Sequence, residues 1–277
     1  MATPRPADQG RALSLAPARA GATLSSFVLH RYDWSETSLV LELFTLERGR
    51  LAVVAKGAKR PYSQLRSVLL PFQRIHVMTT RGSSAERAEA SELQTLRSAE
   101  WAGGLAMFHG AALFSGFYLN ELLMKLLARQ DPYPLLFEAY AQTLVALHDD
   151  NEVGTQAALR AFELRLLNDT GVLPDLSCVT ATQRAVELEG LYRLTPDGVV
   201  DAGGALADDA LMGRLLVGIQ AALLHGHFPA LQQACRGELT ALKVALRGVL
   251  HYHLGSSTLR TRQLMQDLQS MERRNGT

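Results

Sequence analysis

The chain has 277 residues, of which 47% are hydrophobic and 20% are charged, with a formal net charge of +1. This composition suffices for a sizeable buried core in one or two domains and excludes a disordered protein. The two cysteines, Cys178 and Cys235, stand 57 positions apart. That spacing excludes a CxxC metal or redox pair and a disulfide-dense scaffold, and it is typical of the reducing environment of the cytoplasm.

The first 24 residues contain Pro, Ala, Gly and Arg without a continuous apolar run. We therefore predict a disordered N-terminal extension rather than a signal peptide. An amphipathic targeting peptide is an alternative suggested by the arginines, although Pro4, Pro6 and Pro17 disfavour a helix.

Five segments with the alternating pattern of β-strands come next. We predict strands at residues 27–30, 38–45, 50–56, 73–80 and 93–98, separated by polar turns. Short strands with a turn every ~8–12 residues are typical of a small antiparallel barrel, which we place at residues 25–101.

Cationic side chains are concentrated in this predicted barrel. Residues 48–85 contain eight Lys or Arg and no Asp or Glu, whereas the rest of the chain has 20 basic and 27 acidic side chains. Such segregation is expected of a protein that binds a polyanion. The alternative is a solvated turn rich in Lys and Arg, which the length of the acid-free run disfavours. The candidate DNA-binding cations are Arg48, Arg50, Lys56, Lys59, Arg60, Arg66, Arg74 and Arg81.

Aromatic side chains lie close to these cations in the sequence. Tyr32, Trp34, Phe44 and Tyr62 could each serve as a platform on which a base stacks. Phe44 is predicted to be part of the core, so Trp34 and Tyr62, which are in loops, are the better candidates.

After Trp101 the apolar residues recur every three or four positions. This pattern predicts helices at residues 106–129, 133–148, 152–170, 209–224, around 235–253 and at 258–271. The run without charges at residues 103–119 is too short for a membrane span, which needs ~20 apolar residues, so we interpret it as a buried core helix. Residues 186–200 alternate again and predict a β-hairpin. We therefore expect a helical domain at residues 102–272, with a β insertion at about 178–203.

One cation in the predicted helices lies beside an apolar stripe. Arg160 flanks Leu159, Phe162 and Leu166, and such a site suits a peptide that brings acidic residues and an aromatic end. Lys125 and Arg129 also share a helix face, but we interpret them as solvated residues at its rim.

The sequence contains no recognisable catalytic motif. It lacks a P-loop, a GxSxG elbow and an HExxH helix. His225/His227 and His251/His253 diverge if they are on helices, so surface or packing roles are favoured over metal binding. Cys178 is interpreted as a small buried residue. We predict no enzyme activity and no cofactor.

Several segments together resemble the RecO family of bacterial DNA repair proteins. They are FVLHRYDWSETSLVLELFT, GRLAVVAKGAKR, LLPF, TLRSAEW, YLNELL, DPYPLLFEAY, ALRAFELRLLNDTGVLPDLSC and YHLGSSTLRTRQL. The order WSETS, AKGA and LRAFELRLL is specific, and the likeness extends from about Phe27 to Leu268.

The resemblance implies an α+β protein with an N-terminal OB-fold β-barrel, followed by a mainly α-helical domain with a small β-hairpin insertion. RecO proteins have no catalytic centre. They bind single- and double-stranded DNA, anneal complementary strands, and work with RecR to load RecA onto strands coated with the single-strand-binding protein SSB. They bind the acidic, Phe-terminated SSB tail in the helical domain. The resemblance assigns that contact to Arg160 of the ALRAFE motif, with Leu159 and Phe162 beside it.

Some RecO proteins contain a four-cysteine zinc site after the LPDLSC segment. This chain has only Cys178 there, so it resembles the zinc-free branch and we predict no metal. Two alternatives from other functional classes remain at this stage. One is a Mg²⁺-dependent nucleic-acid enzyme, for which residues 48–85 provide no carboxylates. The other is an RNA-binding OB-fold module.

Overall fold

Five strands form a closed barrel in the N-terminal part of the chain. The computed structural model describes residues 22–80, 93–104, 106–149, 151–203, 207–255, 259–261, 263–264 and 267. The barrel strands are β1 (Leu24–Asp33), β2 (Leu39–Thr45), β3 (Gly49–Ala55), β4 (Arg74–Thr80) and β5 (Leu93–Trp101), with a short helix α1 (Leu65–Val68) between β3 and β4. Their order around the barrel is β1-β2-β3-β5-β4. The predicted OB-fold barrel is confirmed. The expectation of a purely antiparallel barrel was wrong, because β3 and β5 pair in parallel.

Strand β2 is buried on both of its faces. Leu41 and Leu43 belong to the core inside the barrel, whereas Phe44 belongs to the core shared with the helices. Glu42 on the same outer face is also buried. This explains why apolar residues occupy both alternating positions of the segment LVLELFT: one set fills the barrel and the other contacts the helical domain.

Helices and three short β elements form the rest of the described chain. The helices are α2 (Gly110–Leu126), α3 (Pro134–Ala146), α4 (Glu152–Asp169), α5 (Gly213–His225), α6 (Phe228–Cys235) and α7 (Leu239–Leu254), with a 3₁₀ turn at Arg236–Glu238. A three-stranded sheet has the order β10-β8-β9 and a two-stranded sheet pairs β6 with β7. The strands are β6 (Cys178–Val179), β7 (Arg184–Ala185), β8 (Leu191–Thr195), β9 (Gly198–Asp201) and β10 (Ala210–Met212).

Two predicted helix boundaries were wrong. The helix predicted at 106–129 begins only at Gly110. The helix predicted at 209–224 begins at Gly213, because residues 210–212 form a strand that pairs with β8. The N-terminal extension and the helix predicted at 258–271 lie wholly or largely outside the described residues. Among those residues, no helix is long and apolar enough to cross a membrane.

An aromatic cluster joins the barrel to the helical domain. The rings of Phe27 and Phe44, on the outer faces of β1 and β2, lie 5.1 Å and 5.4 Å from the ring of Phe137 on α3. Tyr140, one turn further along α3, contacts both of the barrel rings. These side chains are almost completely buried, so the barrel and the helices share one continuous core.

Buried hydrogen bonds fix the geometry of this junction. The side-chain amide of Asn120 on α2 donates to the backbone carbonyl of Leu29 at 2.9 Å. Its oxygen accepts a hydrogen bond from the hydroxyl of Tyr140. The buried Asn120 amide therefore links the β1 backbone to both α2 and α3. Removing any member of this network would leave a buried polar group without a hydrogen-bond partner.

Close backbone contact also holds β3 against the α2–α3 connection. Gly49 has φ +66°, and a Cβ atom there would lie 1.8 Å from the carbonyl oxygen of Asp131. The amide of Gln130 donates to the carbonyl of Arg50 at 2.9 Å. Only glycine fits at position 49, for both conformational and steric reasons.

The C-terminal segment is attached to α2 by one carboxylate. Glu121 accepts hydrogen bonds from the backbone amides of Arg260 and Thr261 at 2.9 Å and 3.0 Å, and from the Thr261 hydroxyl. Partial burial acts to raise the pKa of Glu121. The hydrogen bonds from Thr261 and Arg260, together with the charge of Lys125, outweigh burial and lower this pKa below its usual value.

We expect Gly49→Ala to destabilise the protein more than Gly57→Ala. Gly57 also has a positive φ (+71°), but its nearest neighbour would be 3.6 Å from an added Cβ. Both variants incur the left-handed strain of about 1–2 kcal/mol, and only Gly49→Ala adds the collision with Asp131, for about 1–3 kcal/mol more. Urea unfolding of both variants measures the difference. Equal losses would contradict the proposed role of this contact.

We expect Glu121→Gln to reduce the pH dependence of stability on the acid side. The folded pKa of Glu121 is lower than the usual value of a glutamate side chain. The stabilisation by its carboxylate is therefore complete above the unfolded pKa and is lost as the pH falls through the folded pKa. Unfolding free energies measured from neutral to acidic pH should show the two proteins converging. A difference that stays constant over this range would argue against an ionised Glu121 in the folded state.

Candidate nucleic-acid interface

Two loops meet at one end of the barrel. The first joins β1 to β2, and the second follows β3. The backbone amide of Lys59 in the second loop donates to the carbonyl of Thr37 in the first at 2.9 Å. The Lys59 ammonium also donates to the carbonyl of Ser35 and forms an ion pair with Asp33 at 3.0 Å. Lys59 therefore fastens the two loops together, and part of its charge is neutralised.

Three exposed aromatic side chains of the barrel lie in or beside these loops. Trp34 is 64% exposed and Tyr62 is 99% exposed, while Tyr32 at the end of β1 is 44% exposed. The imidazole of His30 contacts Tyr32 with ring centroids 4.4 Å apart. His30 and Tyr32 are two residues apart on β1, so their rings lie on one side of the strand, and Trp34 follows directly after the strand ends. Exposed rings at this spacing are suitable platforms for stacking bases.

Three of the predicted cations are fully available at the same end. Lys56, Arg60 and Arg66 are exposed. Arg60 belongs to the turn that begins at Gly57, because its amide donates to the Gly57 carbonyl at 3.1 Å. The part of the acid-free run that forms the second loop and α1 therefore exposes these three cations to solvent. We define the barrel interface as Trp34 and Tyr62 with Lys56, Lys59, Arg60 and Arg66.

The structure places Arg50 and Arg74 at the junction with the helices instead. The guanidinium of Arg50 donates to the carbonyl of Met124 at the end of α2. Arg74 donates to the hydroxyl of Ser25, lies 3.8 Å from Glu138 and stacks over the Phe137 ring. Both arginines are half-buried. They stabilise the docking of the barrel, so a direct role in DNA binding remains a prediction.

Arg48 and Arg81 are the two remaining candidates. Arg48 is half-buried at the β2–β3 turn and donates to the side chain of Gln94 on β5 at 3.4 Å. Arg81 lies outside the described residues.

Sequence reasoning missed two exposed residues beside the interface. His30 and Arg31 are exposed at the end of β1, and the Arg31 guanidinium donates to the carbonyl of Leu69 at 3.2 Å. The spacing of His30, Tyr32 and Trp34 at every second position could have indicated that these rings are exposed near one another. The strand was predicted to end at His30, and this hid the pattern.

The predicted peptide-binding residues of the helical domain lie in its interior. Leu159 and Phe162 are buried, and Arg160 is 5% exposed. Arg160 donates to the carboxylate of Glu163, which also accepts a hydrogen bond from the Tyr118 hydroxyl at 2.6 Å. Burial raises the pKa of Glu163, and the Arg160 charge and these hydrogen bonds oppose that rise. Glu163 thus links α4 to α2 through Tyr118, and Arg160 is its buried partner on the same helix. Contact of Arg160 with a peptide remains a prediction.

A shallow cleft lies on the surface of the same helices. It is a small depression that is open to solvent. Its walls are apolar, and Arg165, one and a half turns beyond Arg160 on α4, supplies the cation. Arg165 is paired with Asp169 at 2.7 Å. The lining residues are Leu135, Arg165, Ala222, Gly226, His227, Phe228 and Leu231.

The part of the chain that the structure describes contains no cluster of three or more His, Cys, Asp or Glu arranged to hold a metal ion. His225 and His227 are exposed, and Cys178 is half-buried rather than fully buried as predicted.

A closed five-stranded barrel with aromatic and cationic loops defines the class of OB-like barrel proteins. Comparison with known families makes the assignment specific. The family model described as Recombination protein O N terminal matches residues 22–104, and that described as Recombination protein O C terminal matches residues 107–263. The chain therefore belongs to the RecO family of DNA repair proteins.

Individual relatives agree with this assignment. The chain is 48% identical over 251 residues to the DNA repair protein RecO of Polaromonas sp. (strain JS666 / ATCC BAA-500), covering 89% of this chain and 96% of that protein. It is 43% identical over 258 residues to the DNA repair protein RecO of Verminephrobacter eiseniae, covering 93% and 100%. The corresponding protein of Delftia acidovorans is 44% identical over 257 residues, with 89% and 96% covered.

Proposed function

We propose that this chain is a non-enzymatic, cytoplasmic mediator of DNA repair and recombination. It binds single- and double-stranded DNA and anneals complementary strands. With RecR, it helps to load RecA onto single-stranded DNA coated with SSB. Membership of the RecO family supports this proposal. The observation that favours it most is the exposure of Trp34 and Tyr62 beside Lys56, Arg60 and Arg66.

The barrel interface has the chemistry that a single strand requires. Its cations neutralise phosphates without reading the sequence, and each contact releases a bound counterion. Its aromatic rings stack on bases, which contributes about 1–3 kcal/mol per base. Because the cations bind the backbone, the pairing edges of the bases stay free to meet a complementary strand. Neutralising both backbones reduces their repulsion, and this favours annealing.

The nuclease alternative requires clustered carboxylates to hold Mg²⁺ near the bound backbone. In the described part of the two interface loops the acids are Asp33 and Glu36, and Asp33 is paired with Lys59. This arrangement disfavours the nuclease. Degradation of labelled DNA by the purified protein with Mg²⁺ would establish it instead. The RNA-binding alternative is tested by competition between single-stranded DNA and RNA.

We propose that the acidic, Phe-terminated tail of SSB binds the helical domain beside α4. Apolar walls and a guanidinium suit an aromatic end that carries a carboxylate. The cleft lined by Leu135, Arg165 and Phe228 has these properties. Arg160 contributes from inside, because it neutralises the buried Glu163, whose carboxylate accepts a hydrogen bond from Tyr118 on α2.

We expect replacement of Lys56, Arg60 and Arg66 by Gln to weaken DNA binding and annealing. Three lost phosphate contacts should reduce the log–log salt slope for single strands by about 2, at ~0.7 per contact. Fluorescence anisotropy over a salt series measures the slope. The matched control replaces Arg184, Arg193 and Arg214 by Gln, since these exposed arginines are each paired with an acid. Wild-type annealing by the first variant, or equal losses in both, would refute the assignment.

We expect Arg160→Ala to lower stability by about 3–5 kcal/mol, because Glu163 loses its buried partner. Arg214→Ala, which breaks the exposed pair with Glu189, should lower it by less than about 1 kcal/mol. Under conditions where the Arg160 variant remains folded, binding of the SSB tail peptide should fall and binding of naked DNA should not. Equal loss of both activities would contradict a separate peptide site.

A further inference from the structure

The helical domain contains a second acid-free segment. Residues 239–266 contain no Asp or Glu, and they include Lys243, Arg247, Arg260 and Arg262. Most of this segment is helix α7. A long segment with several cations and no acids, which also indicated the barrel interface, therefore occurs a second time in the helical domain.

Helix α7 separates its apolar and cationic residues onto opposite faces. Leu242, Ala245, Leu246, Val249 and Leu250 are buried. These residues pack mainly against α4 and the β8 strand. The outer face is exposed, including Tyr252 at 64%. We define the α7 face as Lys243, Val244, Arg247, His251 and Tyr252.

The cations of the α7 face are not neutralised by neighbouring acids. Neither Lys243 nor Arg247 forms an ion pair with any residue that the structure describes, although the charge of Lys243 reaches the buried Glu163. The exposed Arg184 on β7 and Arg214 on α5 differ, because each pairs with an acid. Unpaired surface cations in one row generate a positive potential that attracts a polyanion.

The spacing on the α7 face fits a phosphate backbone. Lys243, Arg247 and His251 follow one another at four-residue intervals, which is about 6 Å along the axis. The phosphates of one strand rise ~3.4 Å each along the duplex axis and wind around it, so that successive phosphates are about 6–7 Å apart and each interval is close to one phosphate step. Val244 and Tyr252 lie beside this row, and the Tyr252 ring can contact a base or a sugar.

An acidic peptide fits this face less well. Peptides that bring an aromatic end use an apolar groove or pocket. The cleft of the helical domain is lined by α3–α6 residues and by none from α7. The outer face of α7 is the convex surface of a single helix, which suits a backbone that passes along it.

We infer that the α7 face binds the phosphate backbone of a nucleic-acid strand at a second surface, separate from the barrel interface. The helix contacts α4 and the β8 sheet, so its face does not extend the barrel loops. One molecule would then hold nucleic acid at two places. The inference goes beyond the proposed function, because it does not require that the barrel binds DNA.

Lysine footprinting tests this on the unaltered protein. The chain has only four lysines: Lys56 and Lys59 in the barrel loop, Lys125 on α2 and Lys243 on α7. Acetylation is measured by mass spectrometry without ligand, with an oligothymidylate and with a DNA duplex. We expect Lys243 to be protected by one or both, and Lys125, which is paired with Glu121, to be unchanged. The two ligands show whether the face prefers a single strand or a duplex.

The four lysines also separate this inference from the proposed function. Protection of Lys56 without Lys243 would overturn the α7 site and leave the barrel interface standing. Protection of Lys243 without Lys56 would support the α7 site and contradict the barrel interface. Protection of Lys243 by an acidic peptide but not by DNA would identify a protein partner and overturn the inference.

Charge variants provide the second measurement. Lys243→Gln with Arg247→Gln should reduce the salt slope for single strands by about 1.4, at ~0.7 per contact. The matched control, Arg184→Gln with Arg214→Gln, removes the same charge from the same domain and should have a smaller effect. Thermal unfolding verifies that both variants fold. An unchanged slope, or a reduction no larger than that of the control, would overturn the inference.

Discussion

The docking of the outer barrel wall on helices α2 and α3 is the constraint on which the rest of the structure depends. Phe27 and Phe44 pack on Phe137 and Tyr140, and the buried amide of Asn120 fixes their geometry. The apolar contact provides most of the stabilisation, whereas the hydrogen bonds determine one orientation. One wall of the barrel is therefore covered by helices, whereas the loop end, which carries the candidate interface, is exposed.

This docking gives cationic side chains of the barrel two different roles, in stabilising the junction or in remaining exposed to solvent. A guanidinium that is partly withdrawn from water needs a partner, and Arg50 and Arg74 find one in helix carbonyl and carboxylate oxygens. Lys56 and Arg60 remain in water, where a phosphate can displace their counterions. Position relative to the helices, rather than residue type, thus decides which cations remain available to DNA.

The same distinction applies across the helical domain. Arg160 is buried and paired, the exposed Arg184 is paired with Asp201, and Arg247 on α7 is exposed without an ion pair in the described chain. Exposed pairs contribute little to stability and present little net charge. Exposed cations without an ion pair in the described chain therefore occur at both the barrel loops and α7, although the net charge of the whole chain is only +1.

The sequence by itself determined the class of fold, since alternation and helical spacing are local properties of the chain. Its motifs also indicated the family, and exposure of Trp34 and Tyr62 followed from their loop positions. Tertiary structure alone decided that β3 pairs with β5 in parallel, and that Ala210–Met212 joins β8 instead of beginning a helix. It also decided that Arg50 and Arg74 are partly buried at the junction and that Arg160 is buried in the helical domain. These outcomes depend on partners distant in sequence, and local pattern contains no information about which side chains those partners will bury.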